Sequence, residues 1–107
     1  LVTVMGGGRQ WRPLVHVRDV ARAFRMAIEA PVEAVDRQVF NIGLCNMQVR
    51  SLAFVVRETL PIPVQVSIAP DDADRRNYSI SFDKAAARLG FQAQVRVAAV
   101  ELDGRVL

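Results

Sequence analysis

Arginine is the side chain through which this sequence is best equipped to do chemistry. Of the 14 basic residues only Lys84 is a lysine, and a planar guanidinium grips a phosphate or carboxylate edge with two parallel hydrogen bonds, which an ammonium cannot do. A GC-rich coding sequence produces the same bias, so individual positions have to carry the argument. Arg12 stands between Trp11 and Pro13 at the entry to an apolar run, where a charged residue must find a partner or face solvent. It reads as a surface ion pair or as an anion ligand. Arg75 and Arg76 are the only adjacent basic pair and follow the acidic loop PDDAD at 70–74. They read as a neutralised surface loop, or as anion ligands of which at least one projects away from Asp71, Asp72 and Asp74. Trp11 is a packing anchor with its indole N–H at the surface, or a stacking platform for a nucleobase.

Other chemistries find little support. His16 stands alone with no HxxxH, HExxH or CxxC partner, so no metal site is expected, and it reads as a hydrogen-bonded structural residue. Gly6-Gly7-Gly8 matches no phosphate-cradling motif and is followed by a strand pattern, which favours a hairpin turn. Tyr78 has no lysine four residues on and reads as core. Cys45 is the single cysteine, which excludes an intrachain disulfide and suits a reducing cytoplasm. The net charge is +3, but the arginines are dispersed without aromatic interleaving, which disfavours nucleic acid. No apolar run approaches the ~20 residues of a membrane span. The chain begins at Leu1 with almost no lead-in, and we expect a piece of something longer.

The elements that must position these residues follow from periodicity. LVTVM at 1–5 is a β-type run, expected to pair antiparallel with a strand over 11–16 across the glycines. Asp19 is expected to cap a helix over 17–30, in which Val17, Val20, Ala21, Phe24, Ala27 and Ile28 form one apolar stripe and Pro31 is the stop. A polar connection leads to a strand at Gln38–Ile42. A second, mostly buried helix is expected over Val49–Leu60, with Gln48 a poor cap, followed by a strand at 64–69. Tyr78–Phe82 reads as a short extended run, DKAAARLG as a short helix stopped by Gly90, and the tail from Val95 as a final helix. The sum is one α/β domain over 1–107: a short β-hairpin, three to four helices and further short strands.

The strand R-x-x-x-H-V running into x-D-V-A at 12–21, QVFNIG at 38–43, DRRNYSIS at 74–81 and DKAAARLGF at 83–91 occur in an order and spacing that resemble the C-terminal third of extended short-chain dehydrogenases. These are the NAD-dependent nucleotide-sugar epimerases and dehydratases, and the resemblance covers nearly the whole chain. It implies the C-terminal part of a Rossmann-type enzyme, with strand 38–42 joining a cofactor-binding sheet that is otherwise absent here. It implies that Arg12 reaches the nucleotide diphosphate and that an arginine before Tyr78 clamps its other side; an extra residue there leaves Arg76 or Arg75 in that role. Trp11 would border the ligand. The family's GxxGxxG turn and Tyr-x-x-x-Lys pair have no match in this sequence, so NAD (or NADP) would belong to the parent protein and no cofactor or catalysis to the fragment. A nucleotide-sugar is then the expected ligand, with no nucleic acid and no membrane partner, and a homodimer or domain-swapped oligomer would cover the face left by the missing sheet. Two other classes stay open: a small non-enzymatic anion- or nucleic-acid-binding module, and a structural or assembly domain.

Overall fold

The computed structural model describes residues 1–70 and 76–98, together with the backbone of 101–102 and 105–106. Its elements are β1 (Val2–Val4), a 3-10 turn (Gly6–Gly8), β2 (Trp11–Leu14), α1 (Val17–Glu29), α2 (Val32–Val35), β3 (Cys45–Gln48), α3 (Val49–Thr59), β4 (Val66–Ile68), α4 (Asp83–Leu89), β5 (Glu101–Leu102) and β6 (Arg105–Val106). The mixed α/β class matches the expectation. The molecule is a slab of 49 × 36 × 17 Å with a radius of gyration of 16.6 Å, against about 13 Å for a compact chain of this length. It is therefore thin in one direction, and its interior is small: Val4, Ala23, Ala53, Ala85, Phe91 and Ala98 are the buried apolar residues among those described.

The expected hairpin between 1–5 and 11–16 does not form. β1 pairs in parallel with β4, Val2 opposite Val66 and Val4 opposite Ile68, while β2 pairs antiparallel with β3, Trp11 opposite Gln48 and Leu14 opposite Cys45. The reason lies in the glycines. All three take positive φ, between 64° and 77°, a region that costs a side-chain-bearing residue energy, and they wind a 3-10 turn that directs the chain away from β1. At Gly8 a Cβ would lie 2.6 Å from Val4 Cγ1 and 2.8 Å from the Cβ of Arg50, so the turn also fits beneath the start of α3. β1 is thereby left to meet β4, which α3 returns to it in the strand–helix–strand order that parallel pairing needs.

Helix α1 begins three residues earlier than a cap at Asp19 would place it. His16 is the N-cap, its Nδ1 accepting from Arg18 N–H at 3.1 Å, so the lone histidine has the structural role its isolation suggested. Asp19 sits in the first turn and is turned inward. α3 and α4 lie where periodicity places them, and Gly90 at φ 66° ends α4. α3 is less enclosed than expected: of its residues only Ala53 is buried, and Phe54 and Val56 are exposed.

Three further expectations fail. No strand forms over 38–42, because a strand exists only as a rung in a ladder and no described segment offers it an edge. Phe40 and Ile42 pack instead against the cluster of Ala23, Ala85 and Phe91. The connection after Pro31 contains the one-turn α2, for which Pro31 is the N-cap. Among the described residues the tail contains no helix and includes the antiparallel pair β5 and β6, Glu101 opposite Val106 and Leu102 opposite Arg105.

Candidate functional site

Strand β2 is bonded on both edges. Successive residues of a strand present their main-chain groups to opposite edges. The carbonyls of Gln10 and Leu14 accept from Val49 and Leu44 on the β3 side. Trp11 faces the other edge, and there the segment 76–80 lies alongside. Trp11 N–H donates to Asn77 Oδ1 at 2.9 Å, and Tyr78 N–H donates to the Trp11 carbonyl at 3.3 Å. Two residues on, Pro13 has no N–H to give. Asn46, its partner on β3, supplies what is missing: Asn46 Nδ2 donates to the Ile80 carbonyl at 2.8 Å and Asn46 Oδ1 accepts from Ile80 N–H at 3.0 Å.

This docking brings Trp11, Arg12 and Arg76 together. Arg12 Nη1 donates to the carbonyl of Trp11 at 2.9 Å and to the carbonyl of Arg76. Its guanidinium also stands 5.7 Å from the centre of the Tyr78 ring, within cation–π range. The Arg76 main chain thus meets the Arg12 guanidinium, which sets the two residues side by side at this strand edge. Arg75 lies outside the described residues. Tyr78 is not core: its ring is 48% exposed, because it is held by its backbone to the strand edge and by its face to Arg12 rather than by burial. Trp11 is 43% exposed; strand alternation sends it to the face opposite Arg12.

Asn46 and Asn77 carry no signal in the sequence that marks them as site-builders. Each is an ordinary turn-type residue by composition, and only the absence of a donor at Pro13 points to a need for a side-chain substitute. β3 itself, CNMQ, contains no β-branched residue and is a strand through its pairing alone.

A second polar centre lies on the inner side of α1. Asp19 is 2% exposed, the most enclosed large side chain among those described. Its Oδ2 accepts from Val95 N–H at 2.8 Å and from Gln94 N–H at 3.0 Å, and Arg22 reaches its Oδ1 at 3.3 Å. Burial pushes this carboxyl up, but the N–H groups of Val95 and Gln94 and the Arg22 guanidinium outweigh it and hold it below the ordinary aspartate value. Arg22 in turn covers the Phe91 ring at 4.6 Å and donates to the Gln92 carbonyl. Asp19 is thus a clasp between α1 and the 92–95 segment rather than a helix cap. The Cys45 thiol is pushed up by burial, which makes it a poor nucleophile. Among the described residues no group of three or more His, Cys, Asp or Glu could hold a metal ion, and no helix is long and apolar enough to cross a membrane.

Residues 1–43 match the family model for the NAD dependent epimerase/dehydratase family. No curated protein sequence matches the chain. Solved structures do. UDP-glucose 4-epimerase from Thermotoga maritima, solved with UDP-glucose, is 29% identical with a TM-score of 0.75, over 91% of this chain and 31% of its own. A GalE-like L-threonine dehydrogenase from Cupriavidus necator is 25% identical with a TM-score of 0.74, over 91% and 36%. MoeE5, solved with UDP-glucuronic acid and NAD, is 26% identical with a TM-score of 0.70, over 91% and 32%. The chain therefore spans about a third of the length of the structures it resembles.

Proposed function

We propose that this chain is the substrate-side portion of an NAD-dependent nucleotide-sugar epimerase or dehydratase, and that it holds the nucleotide diphosphate between Arg12 and Arg76. The observation that carries the reading is the contact of the Arg12 guanidinium with the Arg76 carbonyl, which sets two arginines from distant parts of the sequence at one strand edge. Arg75 is the alternative second clamp; Trp11, whose ring lies on the opposite face of β2, lends the site its backbone groups. Two of the similar structures support the reading: both were solved with a UDP-sugar, and they share this fold over nearly the whole chain. Hydride and proton transfer, with NAD or NADP, belong to the parent enzyme, whose GxxGxxG and Tyr-x-x-x-Lys elements this sequence does not contain. The fragment itself supplies binding energy and orientation, in a cytoplasmic setting.

The outward face of α1 gives the reading its second half. Val17, Phe24 and Ile28 are 72%, 68% and 82% exposed, and Val39 is 79% exposed. In the parent enzyme a cofactor-binding sheet covers this face; the isolated chain pairs with a second copy, as a dimer or by exchanging segments. The test of the ligand is a saturation-transfer NMR screen with UDP, UDP-glucose and a single-stranded oligonucleotide. Signal from the first two and none from the third is the expected result. The reverse would make the chain a nucleic-acid-binding module, and signal from none would make it a structural domain.

A further inference from the structure

The geometry points to Asn46 as the positioning residue that sets where the Arg76–Tyr78 segment lies against Arg12. The inference rests on the anion-binding reading above. An anion clamp needs its two arginines at a fixed separation, because a guanidinium fork displaced by about an ångström loses one of its two hydrogen bonds. Arg12 is fixed by a paired strand. Arg76 has no regular element of its own, since no helix or strand covers residues 76–82, so something must hold its backbone in place.

Besides the Arg12 guanidinium itself, which donates to the Arg76 carbonyl, three described attachments do so, and two are side-chain amides. Asn77 Oδ1 takes the Trp11 N–H and Tyr78 N–H meets the Trp11 carbonyl, both at the start of β2. Farther along, a third strand would need an N–H from Pro13, which has none. Asn46 fills that break by offering both a donor and an acceptor to Ile80, as a backbone peptide would. Its two contacts are the only described hydrogen bonds that Ile80 makes. Without them nothing described ties residues 79–81 to β2 and β3, and between Arg12 and the start of α4 the register of the segment rests on Trp11 and on the Arg12–Arg76 contact alone. The arginine beside Asn77 then loses its register with Arg12. A backbone pairing in place of the amide would hold the segment as well, but Pro13 forbids it.

The test compares Asn46→Ala, which removes both amide groups, with Asn46→Gln, which restores both on a stem one methylene longer. UDP affinity is measured by chemical-shift titration, alongside the exchange rate of the Ile80 amide. Wild-type protein should bind UDP and protect the Ile80 amide relative to Ser79 and Ser81. Asn46→Ala should speed that exchange and weaken UDP by about tenfold, while its thermal midpoint stays close to wild type. Asn46→Gln, which restores both groups but sets the segment a methylene farther out, should restore the Ile80 protection while leaving UDP weaker than wild type, a split that a merely structural role would not give. Wild-type affinity in Asn46→Ala, in a protein that still binds UDP through Arg12, overturns the inference and leaves the clamp standing. Absence of UDP binding in the wild type, and equally in Arg12→Ala, overturns the clamp and the inference with it. Should Asn46→Ala fail to fold, the wild-type Ile80 amide decides: exchange at the open-chain rate rules Asn46 out.

Discussion

The two sides of helix α1 solve the same problem with opposite chemistry. On the inner side Asp19, Ala23 and Met26 recur at helical spacing; Asp19 and Ala23 are buried, and the carboxylate joins the helix to the 92–95 segment while Ala23 touches Ala85 and Phe91. On the outer side Val17, Phe24 and Ile28 form a cleaner apolar stripe and stand in solvent. Hydrophobicity alone would have turned the helix the other way. What decides is which partner the described residues provide: N–H groups at Gln94 and Val95 for a carboxylate, and for the stripe no more than Phe40, Ile42 and Leu89 beside Val20, Phe24 and Ala27. An apolar stripe marks a surface that must be covered, without saying by what.

The largest effect should come from breaking the inner side. Asp19→Asn leaves the N–H of Gln94 or Val95 facing an amide NH2, and it should cost about 3 kcal/mol in urea denaturation, as expected for a buried carboxylate that accepts several bonds. An unchanged midpoint would mean that the clasp contributes nothing. The same clasp fixes an acid limb. Its carboxyl is held below the ordinary value of 3.8, so its stabilisation is fully present above that value and is lost as pH falls through it toward the folded-state value. Asp19→Asn should therefore flatten the loss of stability in acid, measured by unfolding at a series of pH values.

A somewhat smaller loss should follow at Gly43, in the 38–43 segment that packs on the inner layer. A Cβ there would lie 2.3 Å from Phe82 Cε1 and 2.6 Å from its Cζ, so Gly43→Ala forces that ring aside at about 2 kcal/mol. The outer side should respond in the opposite manner. Ile28→Glu, at a residue 82% exposed, should change monomer stability by under about 0.5 kcal/mol yet abolish self-association in sedimentation at tens of micromolar. A compact wild-type monomer under the same conditions would show that the stripe needs no cover.

The sequence was most legible where local chemistry decides the outcome. Pro31 stops α1, Gly90 stops α4, and the apolar stripe of α1 comprises the residues the periodicity selects. It was least legible where a distant segment decides. VFNI has a strand's composition and no strand, for want of an edge, whereas CNMQ has no strand's composition and is one, because β2 lies beside it. Tyr78 belongs with these, exposed at the strand edge because Asn77 and Trp11 hold its backbone there. The arginines were visible by type and the join between them was not, since it runs through Asn46 and Asn77, whose side chains substitute for a backbone that Pro13 interrupts.

The anion clamp is tested most directly by titrating UDP into wild-type protein, Arg12→Lys and Arg12→Ala. The guanidinium's planar fork is what the clamp requires, and a lysine in its place keeps the charge but loses the geometry. Wild-type protein should bind in the millimolar range, because about 1.5 to 3 kcal/mol per charge-assisted bond is all that the two arginines can offer. Arg12→Lys should lose nearly as much affinity as Arg12→Ala. Full retention of binding in Arg12→Ala would contradict the account and leave Arg12 as a structural link between β2 and the Arg76 carbonyl.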